Sequence, residues 1–152
     1  MKKLEDNLVR LESFIPKHTF CIPAISSGSV GWHIEHSLLV FNAVINALSK
    51  SNPSDYKKTF DIRRSFVLTF GKIPRGKAKA PAAVQPTLNF NTETLKQHIA
   101  RSKEKVKTIE NLRPDQYFNH PFLGDFKLKL ALRFLSIHTN HHLRIIGEIL
   151  KK

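Results

Sequence analysis

The 152-residue chain carries 25 Lys and Arg against 12 Asp and Glu, a formal net charge of +13, with 41% hydrophobic residues and one cysteine. That composition is ordinary for a globular protein, and the length allows a single domain, residues 1–152, to bury a core without staples. A lone Cys21 excludes an internal disulfide, suits a reducing cytoplasm and reads as a small buried apolar residue.

Taken in chain order, "MKKLEDNLVRLESF" mixes acids into its apolar positions, so it is not a signal peptide. Leu4, Leu8 and Leu11 instead predict a short amphipathic helix over Lys2–Phe14. "IPKHTFCIPAISSG" reads as a loop, and a long helix follows over about Ser29–Ser49, capped by Ser29. "NPSDYKKTFDIRRSFVLTF" predicts another helix, with Ser54 as its N-cap and its end near Phe70–Gly71. The proline- and glycine-rich stretch "GKIPRGKAKAPAAVQPTLNFN" is a long loop. A helix beginning at Asn91 or Thr92 stops before Pro114, "DQYFNHPFLGD" is a second loop, and a last helix spans about Asp125–Lys151. No strand is predicted. The expectation is an all-α bundle of four substantial helices with crossover connections and a short extra N-terminal helix. Phe41, Phe60, Phe66, Phe70, Phe126 and Phe134 fall at helical spacing and are assigned to the core, and Trp32 to core or interface.

The longest apolar run, "SLLVFNAVINAL", is far short of the roughly 18 residues that span a bilayer, so no membrane partner is expected. The positive charge makes contact with polyanions an alternative: a non-enzymatic basic helical protein that binds nucleic acid. The basic residues are spread along the chain, however, without helix-turn-helix spacing, an aromatic RNA-binding strand or a cysteine finger.

The informative stretch is "SIHTNHHLRIIGEI", residues 136–149. Helix positions i and i+4 lie one above the other, so His138 and His142 continue the stripe of Leu128, Leu135, Ile145 and Ile149 toward the core. His141 sits roughly 100° around, at the stripe's edge. Buried imidazoles need partners, and an HxxxH pair can find them in hydrogen bonds or in a shared metal ion. Thr139 stands where HExxH proteases carry a glutamate, so protease chemistry is not supported. A third ligand is available on the first long helix, "GWHIEHSLL", where both His33 and His36 lie on the apolar arc and periodicity does not choose between them. Three histidines from two helices would make a site with open positions for water or substrate.

"IEHSLL" followed by "HPFLGDFKLKLALRFLSIHTNHHLRIIGEI" resembles the DinB/YfiT-like superfamily of metalloenzymes, and "FGKIPRGKAKAP" with "NHPFLG" resembles one of its subgroups of unknown function. The resemblance runs from about Val30 to the C-terminus. It implies a four-helix bundle with up-down-down-up connectivity and a divalent metal, usually nickel or zinc, on His36, His138 and His142. Characterised members are thiol-dependent transferases or isomerases using mycothiol, bacillithiol or glutathione. The resemblance therefore implies a small-molecule substrate or thiol and a transferase or hydrolase-like activity. Dimerisation is common among bundles with an exposed apolar helix face, which adds a homodimer to the expected partners. Lys72, Arg75, Lys77 and Lys79 are then placed to hold an anionic group. Arg144 is read either as a substrate anchor or as the partner of Glu148 at i+4. His33, His120 and His141 complete the set of residues expected around the site.

Overall fold

In the computed structural model, which describes residues 1–76, 80–87 and 89–151, the described residues form five α-helices and one two-stranded antiparallel sheet. The helices are α1 (Lys2–Ser13), α2 (Val30–Lys50), α3 (Ile62–Phe70), α4 (Thr92–Thr108) and α5 (Leu128–Ile149). The strands are β1 (Tyr117–His120) and β2 (Gly124–Lys127). Single 3-10 turns cover Ile15–Lys17, Pro53–Asp55, Ala82–Val84 and Ile109–Asn111.

Local chemistry fixes most helix starts. The Ser29 hydroxyl accepts the Trp32 amide at 3.2 Å and opens α2. Asn91 and Thr94 exchange side-chain and backbone bonds in a capping box that opens α4. α3 begins later than the sequence suggests. Asp61, not Ser54, caps it through the Arg64 amide, and Gly71 closes it at φ 60°. The intervening residues are held outside the helix because the Lys57 amide donates to the buried Asp125 carboxylate at 2.8 Å. That bond requires residue 57 to lie along the hairpin.

The N-terminal helix is not an extra element. Leu4, Leu8 and Leu11 are buried, and α1 packs against both α4 and α5. Asn7, also buried, donates to the Ser136 carbonyl on α5 at 3.4 Å. α2 packs against α4 and α5 in turn, so α1, α2, α4 and α5 enclose one core. The nine-residue α3 lies outside, against α5, with Val67 its one buried residue.

The hairpin corrects the reading of "DQYFNHPFLGD" as loop. Phe118 pairs with Phe126 and His120 with Gly124 across the two strands. The short strands were hidden by Pro121 and by aromatics that also fit a helix start. Gly124 sits at φ 74°, and a Cβ there would collide with Thr59 Oγ1. Phe126 is fully buried, stacks on Phe118 and packs at a tilt against Phe134, so the hairpin is a cap on the first turns of α5. α5 accordingly starts at Leu128 rather than Asp125.

Three of the phenylalanines assigned to the core are not in it: Phe60, Phe66 and Phe70 are exposed. Cys21 is likewise exposed, with a free thiol. These differences set up a direct test. Leu8→Ala should lower stability by about 3 kcal/mol, as for other fully buried leucines, whereas Phe60→Ala should stay within about 0.5 kcal/mol. Urea midpoints of the two variants measure both, and a neutral Leu8→Ala would remove α1 from the core.

Candidate metal centre

The site forms where the first turns of α2 cross the middle of α5. His33 and His36 come from α2 and His138, His141 and His142 from α5, more than a hundred residues away in sequence. Each of His36, His138 and His142 offers one ring nitrogen, and these three atoms lie within 4.8 Å of one another. Ring centroids are 5.2 Å apart for His36–His138, 4.8 Å for His36–His142 and 4.7 Å for His138–His142. Tetrahedral zinc, with Zn–N of about 2.0–2.1 Å, holds its nitrogens roughly 3.3 Å apart, so small ring rotations close the triad on one ion.

The hydrogen bonds around the triad leave the right atoms bare. His36 Nδ1–H donates to the Val84 carbonyl at 2.7 Å, which assigns the proton to Nδ1 and leaves Nε2 of the neutral ring as a lone pair. Buried metal ligands are commonly oriented in this way by a backbone carbonyl. His142 Nδ1 lies 2.9 Å from His33 Nδ1, and His33 Nε2 lies 2.9 Å from Ser26 Oγ. When His142 Nδ1–H is the donor, His33 Nε2–H in turn donates to Ser26 Oγ, which also accepts the Gly28 amide at 3.1 Å. In that arrangement His142 Nε2 is free to coordinate. His138 Nδ1 is shut away from solvent and has no hydrogen-bond partner. A buried orphan nitrogen is what a missing electrophile would satisfy.

His36, the third member of the triad, and His33, its orienting neighbour, are thus separated by geometry where periodicity left them open. The indole of Trp32 stacks on His36 at 5.0 Å with planes 15° apart and makes an edge contact with His33, so it belongs to the floor of this cluster. Sequence reasoning missed Val84 and Ser26. Val84 contributes only a backbone oxygen, which no residue type announces, and Ser26 looked like one more turn residue in "SSG".

Burial governs the protonation of the whole cluster. Desolvation, reinforced by the neighbouring imidazoles, holds His138 and His142 well below the usual histidine range. It also lowers His36, against the opposing effect of its bond to Val84. His33 is pushed down to about 4 by burial and then by His36, His141 and Arg75. His141, whose ring meets His142 edge-on at 5.1 Å, is lowered to about 4 by burial and then by Arg75 and Arg144. At neutral pH all of these rings are therefore uncharged and can donate lone pairs to a cation.

The remaining predicted residues lie around this core in different ways. His120 ends β1, accepts the Phe122 amide at 3.1 Å and packs edge-on against Phe134 at 4.9 Å. Burial pushes it down to about 4, and it is close enough to depress His138. Arg75 forms a bidentate pair with Glu148 at 2.8 and 2.7 Å. That takes the partner proposed for Arg144, which donates instead to the Gly71 carbonyl at 3.1 Å. Lys72 is exposed, and Lys77 and Lys79 lie outside the described residues. Open grooves of about 600 and 500 Å³ lie elsewhere on the surface, and neither is lined by a histidine of the cluster.

Neutral buried histidines make stability depend on pH in a defined direction. Below the usual value of 6.5 the unfolded chain takes up protons that the folded one refuses until about 4. Stability is therefore full above about pH 6.5 and falls as pH drops toward 4, with His33 alone contributing on the order of 3 kcal/mol. Thermal unfolding of the metal-free protein across that range should show the decline, and a flat profile would contradict the burial of these rings. No protein-family model, curated protein or solved structure matches this chain, so the reading of the site rests on its own geometry.

Proposed function

We propose that this protein is a divalent-metal enzyme acting on a small molecule, built as a four-helix bundle of the DinB-like type. His36, His138 and His142 hold the ion, with nickel or zinc favoured, and a low-molecular-weight thiol or water is the second reactant. The carrying observation is the convergence of three ring nitrogens within 4.8 Å beside an orphaned His138 Nδ1. A cluster in which the three histidines satisfy one another is the competing reading, yet no hydrogen bond among the described residues links any two of them.

Bound there, the cation supplies Lewis acidity, which makes water or a thiol acidic enough to react near neutral pH. The chain's own residues do the rest. Val84 fixes the His36 tautomer, and His33 with Ser26 fixes that of His142. Three neutral ligands leave the ion's charge uncompensated at about +2, which favours an anionic substrate or a thiolate. Arg144 offers its remaining N–H groups close to His141, while Arg75 is neutralised by Glu148 unless that pair opens. This division suits transfer or hydrolysis on a substrate with a carboxylate or phosphate.

Metal analysis of protein equilibrated with nickel or zinc tests the ligand set. Wild type should hold about one ion per chain, and His36→Ala, His138→Ala and His142→Ala should fall to background. Metal content unchanged in His36→Ala and His142→Ala would eliminate the site. Metal at a hundred times its Kd should also raise stability by about 2.7 kcal/mol. His33→Phe separates ligand from positioning residue: it should keep the stoichiometry while affinity drops about 10–100-fold. Adding a low-molecular-weight thiol to the nickel-loaded protein should produce a thiolate-to-nickel charge-transfer band, and its absence with every thiol tried would leave water as the second reactant.

A further inference from the structure

The triad accounts for neither the net charge of +13 nor the exposed aromatics of α3. Ile62, Phe66 and Phe70 are spaced by four residues and form one exposed stripe on α3, centred roughly 100° around the helix from the buried Val67. They are 75%, 46% and 63% exposed, and the Phe66 and Phe70 rings touch at a centroid distance of 4.8 Å. Phe60, just before the helix, is 86% exposed. Phe122, 48% exposed at the hairpin turn, is tied to α3 through its carbonyl, which accepts Arg63 Nη2 at 3.1 Å. A folded chain rarely bares so many large apolar side chains on one short segment and the turn tied to it without a use.

The charge around the stripe is one-sided. Residues 55–76 contain Lys57, Lys58, Arg63, Arg64, Lys72 and Arg75 against two acids, Asp55 and Asp61, and of the cations Arg75 is spent on Glu148. Asp61 is occupied twice over, capping α3 and pairing with Arg63 at 2.7 Å. A second copy of the chain would bring the same cations together. The five apolar side chains also present roughly 600 Å², taking about 200 Å² for a fully bared aromatic, which is less than the roughly 800 Å² per partner of a standard stable interface.

We infer that this face binds an anionic lipid bilayer, with Phe60, Ile62, Phe66 and Phe70 entering the headgroup layer and the flanking lysines meeting the lipid phosphates. The chemistry matches an interfacial amphipathic helix, in which apolar insertion and cationic attraction add. The contact is superficial and requires no spanning helix; none of the described helices is long and apolar enough to cross a membrane. It would place the metal centre's substrate supply at a membrane surface, although the inference does not depend on the metal.

Sedimentation of the full chain with vesicles of phosphatidylcholine, alone or with about 30% phosphatidylglycerol, decides the matter. Binding is expected to the anionic vesicles only and to weaken at high salt. Phe60→Ser/Phe70→Ser should reduce it about tenfold or more, and Lys57→Gln/Lys58→Gln should weaken it and flatten its salt dependence. All four positions are exposed, so the variants should fold, and circular dichroism verifies this. Absence of binding, or equal binding to neutral vesicles, overturns the inference. So does a wild-type dimer in light scattering that Phe60→Ser/Phe70→Ser converts to monomer, since that assigns the face to a second copy.

Discussion

The packing of α2 on α5 is the contact on which the rest of this molecule depends. It is an apolar contact in most of its length, carried by Ile34, Leu38, Leu135 and Ile146 among others, all fully buried. Within that seam the two helices place imidazoles where leucines would serve packing better. Burying so many polar rings opposes folding by on the order of 1–3 kcal/mol for each nitrogen left unsatisfied, and the surrounding hydrophobic contacts must offset it. The hydrogen bonds to Val84 and Ser26 remove part of the penalty. His138 Nδ1 keeps its share, and the convergence of one nitrogen from each of three rings within 4.8 Å gives the cluster the form of a site that could hold a metal ion.

Polarity of the hydrogen bonds is as important as proximity. An imidazole has one donor and one acceptor, so a partner at one nitrogen dictates the state of the other. The Val84 carbonyl can only accept, which leaves His36 no choice of tautomer once it is neutral. The His142–His33–Ser26 chain can run in either direction, and a cation at His142 Nε2 selects one. The 3-10 turn at Ala82–Val84 therefore contributes to the site although its side chains carry no chemistry, by delivering one oxygen to α2.

The surface divides into two kinds of charge. Around the triad, Arg75 and Glu148 neutralise each other and Arg144 is tied to the Gly71 carbonyl, so the rim is structured. On the α3 side the cations flank bare aromatic rings. A polar seam on a third side, where Asn42 and Glu35 of α2 meet His98 of α4, is half-buried and borders an open groove. Net charge alone would not have distinguished these three environments.

Residue order by itself determined the helical class, the cap at Ser29, the start of a helix at Asn91 or Thr92, and the direction of His138 and His142, because these follow from a 3.6-residue period and from local capping chemistry. It also supplied both candidates on α2. The resemblance carried by "IEHSLL" favoured His36 over His33, but periodicity could not choose, and the packing brings His36 to the triad because neighbouring positions on one apolar arc are equivalent until a partner helix arrives. The same reason explains Phe60, Phe66 and Phe70. Periodicity says that aromatics share a face, but whether that face meets a core depends on what packs there, and α3, with only Val67 buried, leaves it uncovered.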